Sequence, residues 1–422
     1  MITLLKIKKL FGRFDYDFHT KDGGVTIVTG PNGYGKSTIL QIIDAISNKN
    51  INFFLNLEFQ SIECTFDTNN SVKIEKCDDG ILFDGKLLSK KVLARIDHRR
   101  MRRPYIRRIG PNEWLDIRTN KSILSDELQE IDITDLIEVC GDEEGEENKL
   151  LQIITILNNM SNWIGKTRLI SDQRLIKRAY NRNRDEDDIT EAVLELPNEL
   201  KRKISSVSSD YSKQANKLDS TYPSRLLKST ASDAIDETEY KRQLEEARRK
   251  FEKLKKYTLA ELPLLGDGSF DSKYATALKI YFDDFFSKYS VLENLIVKLD
   301  LFTTIINSSL KFKQIEISRE EGFVVKDQSA DGKTLSLSKL SSGEKQKLFL
   351  FFDLIFNTNN DLLLLIDEPE LSLHVTWQQQ FLDDLLKATE INRLQVIIAT
   401  HSPQIIGSHR DIQVDLGELY NG

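Results

Sequence analysis

The chain has 422 residues, of which 40% are hydrophobic and 30% are charged, so it has enough apolar residues for one large or two medium cores. Its formal net charge of −7 excludes a general nucleic-acid-binding protein. Three cysteines without C-x-x-C spacing indicate neither a disulfide framework nor a zinc site, and no apolar run approaches the roughly twenty residues of a membrane span.

The N-terminal segment predicts a β-strand and has no export signal. Residues 1–18, MITLLKIKKLFGRFDYDF, lack the charged, apolar and small-residue pattern of a secretory leader. Ile2, Leu4 and Ile7 partly alternate with polar residues, as in a strand that has one buried face. We therefore expect a cytoplasmic protein.

A phosphate-binding loop follows a short buried strand. Val25–Thr29 is β-branched and predicts a parallel strand, and Lys36–Ile46 has apolar residues at helical spacing. Between them, Gly30–Thr38 has the form G-x-x-x-x-G-K-[ST], in which glycines let backbone N–H groups surround an anion at a helix N-terminus. The strand and the helix around the loop argue against a chance match.

This loop predicts an ATP site with bound Mg²⁺. We expect the Lys36 ammonium to bind the β- and γ-phosphates and the Ser37 hydroxyl to bind Mg²⁺. The residues predicted to contact the nucleotide are Pro31, Asn32, Gly33, Tyr34, Gly35, Lys36, Ser37 and Thr38.

The middle of the chain predicts an added sheet followed by helices. Residues 55–66 and 72–83 carry short β-like runs separated by turn residues, which fits an antiparallel sheet. Residues 183–310 are mostly polar and helical, and we expect a break at Pro223. A heptad seam of under three heptads predicts a short hairpin or bundle face; it consists of Tyr240, Leu244, Ala247, Phe251 and Leu254.

An arginine cluster leaves two interpretations open. The segment HRRMRRPYIRR, His98–Arg108, has six arginines in eleven residues, and Tyr105 is placed to stack on a base. The alternative is a docking surface for an acidic partner or for the acidic run Gly141–Glu147, which is otherwise a solvated loop. The arginines concerned are Arg99, Arg100, Arg102, Arg103, Arg107 and Arg108.

Three further motifs complete the predicted ATP site about 300 residues later. Leu362–Ile366 is a buried strand, and Asp367 and Glu368 follow at its carboxyl end, where open α/β sheets place their chemistry. We expect Asp367 to hold Mg²⁺ and Glu368 to act as the general base on water. A third strand, residues 394–399, ends beside His401, which we expect to reach the γ-phosphate or the water.

The third motif is LSSGEKQK, at residues 340–347, which predicts a second anion site. Ser341, Ser342 and Gly343 precede an apolar-rich helix over residues 344–356, and hydroxyl and N–H groups at a helix start bind anions. In isolation this segment is also an ordinary helix N-cap.

The motifs together resemble the ABC-type ATPases, whose signature sequence is usually LSGGQ or LSGGE. Ser342 replaces the first glycine here, and Glu344 stands where glutamine is common. The resemblance implies that Ser341, Ser342, Gly343 and Glu344 contact ATP held by a second copy, in a homodimer with two ATP molecules. It also implies a D-loop at residues 369–374 and, at Gln173, a Q-loop contact to Mg²⁺.

The long interval is similar to SMC and RecF proteins rather than to transporter domains. It implies an α/β fold, an ABC-type P-loop ATPase head with an appended antiparallel sheet and an inserted helical hairpin or bundle. The predicted domains are an N-terminal ATPase lobe at 1–180, a helical insertion at 181–310 and a C-terminal ATPase lobe at 311–422.

Finally, the chain resembles the small stand-alone ATPases of bacterial phage-defence systems, PARIS first and Septu next, partly through PELSLHVTWQ at residues 369–378. Only 21 residues follow His401, so we expect no TOPRIM nuclease after it. The resemblance implies an ATP-hydrolysing sensor and scaffold that controls a separately encoded nuclease or toxin and responds to a phage product. It also allows a homo-oligomer higher than the dimer. Two hypotheses compete with the defence role: a RecF-like DNA-repair ATPase that clamps DNA, and a protein whose hydrolysis is vestigial.

Overall fold

The protein divides into two compact units. The computed structural model describes residues 2–21, 24–100, 106–108, 113–116, 121–124, 136, 147–170, 188–229, 234–259, 269–329, 332–358, 362–372, 375–392 and 394–420. The first unit is Met1–Arg174 with Asn359–Gly422, and the second is Leu175–Thr358. Residues 311–358 thus belong to the same unit as the helical segment, whereas the sequence-based division placed them in a C-terminal ATPase lobe. The three-domain division stays a prediction.

A five-stranded parallel sheet forms the centre of the first unit. In sheet order its strands are β11 (Lys166–Ile170), β15 (Leu362–Asp367), β16 (Gln395–Ala399), β3 (Val25–Thr29) and β17 (Gln413–Asp415). Every residue of β3 is buried, which explains its continuous apolar and β-branched sequence. The predicted strands at the phosphate loop, before Asp367 and before His401 are therefore confirmed.

Helix α1 (Lys36–Ser47) lies against this sheet, as the sequence predicts. It contacts strands β11, β15 and β16, and its buried residues include Ile39, Leu40, Ile42 and Ile43. These apolar positions recur at helical spacing, so one face of the helix joins the core.

An antiparallel sheet of six strands is appended in the same unit. Its order is β2-β1-β4-β5-β6-β7, with β1 at Ile2–Leu10, β2 at Phe14–His19, β4 at Ser61–Phe66, β5 at Ser71–Cys77, β6 at Gly80–Phe83 and β7 at Lys86–Ser89. The predicted sheet is confirmed, although residues 55–56 belong to helix α2 (Ile51–Asn56). In β1, Leu5 is buried and Leu4 only half-buried, because the register with β4 shifts between Ile2 and Leu4.

The remaining elements of the first unit are helices and a small sheet. Helices α3, α4, α9, α10 and α11 span Lys90–Arg100, Glu147–Ile164, Val375–Asn392, Pro403–Ile406 and Leu416–Leu419. The small antiparallel sheet has the order β10-β9-β8 and is formed by Lys121–Leu124, Glu113–Asp116 and Ile106–Arg108.

The second unit is built mostly from helices. Its helices are α5 (Asp188–Lys228), α6 (Glu237–Lys256), α7 (Ala275–Ser309) and α8 (Ser342–Phe356), and its sheet has strands β12 (Lys313–Ser318), β13 (Gly322–Asp327) and β14 (Thr334–Leu335). The heptad seam lies on α6, where Tyr240, Ala247 and Leu254 are buried, and α6 packs against α7. The α/β fold with a parallel sheet, extra antiparallel sheets and an inserted helical part is thus confirmed.

The predicted helix break at Pro223 is wrong, since α5 continues through this residue. A proline removes one i−4 hydrogen bond and tilts the neighbouring carbonyls away. Here side chains supply donors in the preceding turn: Thr221 Oγ1 donates to Lys217 O (3.0 Å), and Arg225 Nη2 donates to Leu218 O (2.9 Å). Arg225 in turn forms a two-bond ion pair with the buried Asp284 on α7 (2.6 and 2.7 Å), which anchors the turn.

Among the described residues, no helix combines the length and the apolar character that a membrane crossing needs.

Candidate ATP site

Three neighbouring strands of the parallel sheet end at one edge and bring the predicted site residues together. Strand β3 leads into Gly30, β15 ends at Asp367 and β16 leads into Thr400. The register pairs Asp367 with Ala399 and Ala399 with Val28, so the three strand ends lie side by side. This is the edge where open α/β sheets bind ligands.

The phosphate loop (Gly30–Thr38) has the backbone shape of an anion cradle. Gly30, Gly33 and Gly35 have φ values of 142°, 83° and 84°, which side chains rarely adopt. A Cβ at Gly35 would also lie 2.9 Å from Leu10 Cδ2, so this position has no room for a larger residue. Pro31, Asn32 and Gly33 are exposed, whereas Tyr34, Ser37 and Thr38 are half-buried.

Lys36 is only 5% exposed, and its ammonium donates to the backbone oxygens of Gly30 (3.0 Å) and Pro31 (3.1 Å). Burial lowers the pKa of Lys36, and the nearby carboxylates, above all Glu368 and Asp367, oppose this effect. A buried cation beside an open anion cradle is the arrangement that phosphate binding requires.

Ser37 and Asp367 link the two distant halves of the motif set. Ser37 Oγ donates to Asp367 Oδ1 at 3.0 Å across 330 residues of sequence. Burial raises the pKa of Asp367; the Ser37 hydroxyl and Lys36 oppose this, while Glu368 and Glu370 add to it. One hydroxyl and one carboxylate, completed by phosphate oxygens and water, are the oxygen ligands that Mg²⁺ prefers. Among the described residues, no group of three or more His, Cys, Asp or Glu forms a metal site of protein ligands alone.

Glu368 and His401 face each other at the same edge. Glu368 has φ 48°, a strained conformation for a residue with a side chain, and its N–H donates to Ala399 O at 2.9 Å. His401 Nε2 lies 3.5 Å from Glu368 Oε1, and both side chains are about one third exposed. The geometry places a carboxylate and an imidazole where they can share one water molecule.

Glu370 is a site residue that the sequence interpretation assigned only to the D-loop segment. One carboxylate oxygen accepts from the His401 backbone N–H (2.6 Å) and the other from Thr400 Oγ1 (2.8 Å). Gln378 Nε2 donates to the Glu370 carbonyl (3.2 Å), and Ser402 Oγ donates to Gln378 Oε1 (2.8 Å). Glu370 therefore fixes the backbone that carries His401. Only the tertiary structure shows this pairing, since the two residues lie 31 positions apart.

Residues far along the chain support the back of the phosphate loop. Thr29 Oγ1 donates to Asp415 Oδ2 at 3.2 Å, and a Cβ on Gly30 would lie 3.2 Å from Leu416 Cβ. Tyr420 packs against the ring of Tyr34, with ring centroids 6.1 Å apart. The sequence interpretation missed these supports, because nothing in the local pattern marks residues 415–420 as part of the site.

The signature turn (Ser341–Glu344) lies in the second unit and starts helix α8. Ser341 Oγ accepts from the Glu344 N–H (3.3 Å), while Glu344 Oε2 accepts from the Ser341 N–H (2.8 Å), which forms a capping box. Lys313 Nζ donates to both Glu344 oxygens, at 3.0 and 2.9 Å. Burial opposes ionisation of Glu344, but these bonds outweigh it and lower the pKa. Ser341 and Ser342 remain exposed.

Several predicted residues are not placed. Gln173, Arg102, Arg103, Tyr105, residues 141–146 and His374 lie outside the described residues. Arg99 and Arg100 belong to α3, and Arg107 and Arg108 belong to β8, but only their backbone is described.

A protein-family model described as "AAA ATPase domain" (AAA_15) matches residues 1–406. The chain belongs to this family. An ATPase domain needs a site that binds the phosphates of a nucleotide. The edge of the parallel sheet described above is the candidate for that site in this chain.

Other comparisons add little to the family match. No curated protein matches the chain significantly. The chain is similar to the Smc head domain with an extended coiled coil bound to the C-terminal domain of ScpA, from Pyrococcus furiosus, with 14% identity, a TM-score of 0.34 and coverage of 96% of this chain and 90% of that chain. A second structure, the SmcHead bound to the C-winged helix domain of ScpA, gives 11% identity, a TM-score of 0.38 and the same coverage. At these TM-scores neither likeness says anything about function.

Proposed function

We propose that this protein hydrolyses ATP at the carboxyl edge of its parallel sheet. The observation that carries the proposal is the 3.0 Å hydrogen bond from Ser37 to Asp367. This bond joins a phosphate loop to a strand end that also carries Glu368, so an anion cradle, oxygen ligands and a candidate base occupy one place. Few functions other than nucleotide hydrolysis need this combination.

Lys36 binds the β- and γ-phosphates of ATP. In the described state its ammonium is held by the Gly30 and Pro31 carbonyls, and it exchanges these acceptors for phosphate oxygens without leaving its buried position. Because burial disfavours the charged form of Lys36, an anionic ligand restores a favourable environment for the cation.

Ser37 and Asp367 would hold Mg²⁺ beside the same phosphates. When bound, the ion would neutralise negative charge on the phosphates. The hydroxyl and the carboxylate are already oriented toward each other.

Glu368 acts as the general base and His401 orients the attacking water. The water oxygen forms a bond to the γ-phosphorus, the bond from that phosphorus to the β–γ bridging oxygen breaks, and Glu368 accepts the proton. The products are ADP and inorganic phosphate. The 3.5 Å separation between His401 Nε2 and Glu368 Oε1 supports this division of roles.

We further propose that ATP joins two copies head to head. Ser341 and Ser342 are exposed, and the capping box occupies the N–H groups of Ser341 and Glu344. The N–H groups of Ser342 and Gly343, which have no acceptor within the helix, suit the γ-phosphate of a nucleotide bound by another copy. Two such contacts relate the copies by symmetry and give a homodimer with two ATP molecules. Higher homo-oligomers are an extension of the same proposal.

In a cell, we propose that this ATP-gated dimer is the sensor and scaffold of an anti-phage defence system. It holds a separately encoded nuclease or toxin and releases or activates it when a phage product is present. The support is the resemblance of residues 369–378 to such ATPases. Co-expression with the neighbouring gene product, with and without phage, tests it: effector activity must require the Glu368 carboxylate.

The arginine-rich segment favours one competing function, a RecF-like DNA-repair ATPase that clamps duplex DNA. Six arginines in residues 98–108 suit a phosphate backbone. Replacing Arg99, Arg100, Arg102 and Arg103 by alanine decides between the DNA clamp and the defence scaffold. Loss of DNA-stimulated ATPase activity supports the DNA clamp, and unchanged DNA binding and salt dependence exclude it.

The hydrolysis proposal is tested by measuring phosphate release from ATP by the purified chain with Mg²⁺. Lys36→Ala should abolish both nucleotide binding and turnover. Lys86→Ala, which removes an exposed lysine of the antiparallel sheet, is the matched control and should change neither. Equal activity of the Lys36→Ala variant and the wild type would contradict the proposal.

A further inference from the structure

Two phenylalanines combine an exposed ring with a left-handed backbone. Phe11 has φ 52° and is 38% exposed, and Phe312 has φ 60° and is 80% exposed. For a bulky residue a positive φ is a genuine outlier, and a left-handed non-glycine residue costs roughly 1–3 kcal/mol. Phe312 leaves most of its surface open to solvent and Phe11 leaves more than a third open, so neither residue is fully packed among the described residues.

Phe11 lies at the rim of the phosphate loop in the first unit. It belongs to the turn between β1 and β2, and its N–H donates to Glu58 O at 2.9 Å. A Cβ on Gly35, the N-cap residue of α1, would lie 3.6 Å from Phe11 Cε2. The ring therefore borders the cradle, while more than a third of the residue stays open to solvent.

Phe312 lies beside the signature turn in the second unit. The next residue, Lys313, binds Glu344 through both carboxylate oxygens, and Glu344 closes the capping box with Ser341. The carbonyl of Phe312 accepts from the Gln328 N–H at 2.9 Å, which fixes the residue to the β12–β13 hairpin. Phe312 is thus an exposed aromatic residue whose chain neighbour, Lys313, binds the first turn of α8.

We propose that Phe312 packs against Phe11 of the partner subunit when ATP joins two copies of this chain. The inference rests on the proposed head-to-head dimer, in which the signature turn of one copy meets the phosphate loop of the other. The two outlier phenylalanines flank these two surfaces, so each nucleotide gains one aromatic pair at its side. Twofold symmetry gives two pairs in each dimer.

The pairing explains both the exposure and the positive φ of the two phenylalanines. Aromatic pairs contribute roughly 0.5–1.5 kcal/mol beyond the area they bury, and two symmetric pairs double this. The left-handed turns hold the rings outward before the partner arrives, so little conformational entropy is lost on assembly. Because the rings meet only when the nucleotide is in place, they strengthen the ATP-bound dimer and not the free heads.

The test is a double-mutant cycle in the Glu368→Gln background, which retains ATP. Phe11→Gly and Phe312→Gly remove the rings, and glycine adopts a positive φ without strain, so the turns keep their shape. The dimer dissociation constant with ATP and Mg²⁺ is measured by sedimentation. Each single variant should raise it about tenfold, and the double variant also about tenfold rather than a hundredfold, because both changes remove the same contact.

Tyr274→Ala is the control, since this 63% exposed aromatic residue lies at the opposite end of the 35-residue helix α7 and should leave the constant unchanged. Additive losses, or a loss from only one of the two glycine variants, overturn the pairing. If the Glu368→Gln protein dimerises with ATP and both glycine variants match it, the pairing fails while the dimer stands. If it does not dimerise with ATP, the proposed dimer fails and the pairing with it.

Discussion

The phosphate loop and the signature turn each lie at the N-terminus of a helix, but their surroundings differ. Around the phosphate loop, Lys36 is buried and paired with backbone oxygens, and Ser37 is bonded to Asp367. At the signature turn, Ser341 and Ser342 are exposed, and their neighbour Glu344 is occupied by the capping box and by Lys313.

This difference indicates which of the two segments needs a second copy of the chain for its proposed role. The phosphate loop lies beside a buried lysine and the bonded Ser37–Asp367 pair, so under the proposed function it holds a nucleotide without a second copy. At the signature turn, Lys313 is engaged with both Glu344 oxygens, so this lysine is not available to a bound anion. The turn is therefore suited to complete a charged surface that another molecule presents. Changes in the first region should abolish binding or chemistry, and changes in the second should weaken assembly.

The largest effect is expected from Glu368→Gln, which keeps the shape of the side chain and removes the base. Turnover should fall by about 10²–10⁴-fold, the usual contribution of a positioned base, while ATP binding is kept. Single-turnover phosphate release together with nucleotide-binding titrations measures both. Unchanged turnover would mean that Glu368 is not the base, whereas lost turnover with intact cellular function would mean that hydrolysis is vestigial.

Glu370→Gln should have a smaller effect on ATP hydrolysis at the edge of the parallel sheet. The amide keeps one acceptor for the Thr400 hydroxyl or the His401 N–H but loses the charge that holds both. We expect kcat to fall about tenfold with KM for ATP unchanged, since charge-assisted bonds are worth roughly 1.5–3 kcal/mol. Asp383→Asn is a control, because Asp383 contacts a different histidine, His409. A change in KM alone would contradict a role in positioning His401.

Lys313→Met tests the second region. It removes both bonds to Glu344 and loosens the start of α8. ATPase activity at limiting protein concentration should fall about threefold to fivefold, the loss expected from one partly exposed ion pair, with ATP binding to the free head unchanged. The control is Lys326→Met, which breaks an ion pair with Glu316 on the same small sheet. Equal losses from both variants would point to general destabilisation of the sheet.

The smallest effect concerns stability. Burial, with the neighbouring carboxylates, raises the pKa of Asp367 above its ordinary value of 3.8, so the folded protein binds this proton more tightly than the unfolded chain. Its contribution to stability is present at pH below 3.8 and is lost as pH rises through the folded pKa. Asp367→Asn should therefore raise the Tm of the nucleotide-free protein by about 1–2 °C at pH 7.

The same variant should gain less at pH 4, where Asp367 is partly protonated in both states. Thermal unfolding curves of the variant and the wild type at the two pH values check this. A lower Tm for the variant at pH 7 would show that the Ser37 hydrogen bond outweighs the cost of burial.

The sequence predicted the elements that obey local rules. Strands β3, β15 and β16 are buried on both faces, so their apolar runs identify them, and the phosphate loop is set by glycine and lysine spacing. The sequence could not predict features that depend on distant partners. Helix α5 continues through Pro223 with Arg225 bonded to Leu218 O and to Asp284, and β1 buries Leu5 instead of Leu4 because its pairing with β4 shifts. The clamp of Glu370 on His401 is likewise visible only in the fold.

The most direct measurement of the central claim mixes two inactive proteins. Lys36→Ala lacks a working phosphate loop, and Ser341→Arg blocks the signature turn. If the signature turn acts on a second copy, each mixed dimer contains one intact site. An equal mixture should then recover about a quarter of wild-type ATP hydrolysis, since half of the dimers are mixed and each has one of its two sites. If the signature acts within its own chain, or not at all, the mixture will be no more active than its two components assayed separately.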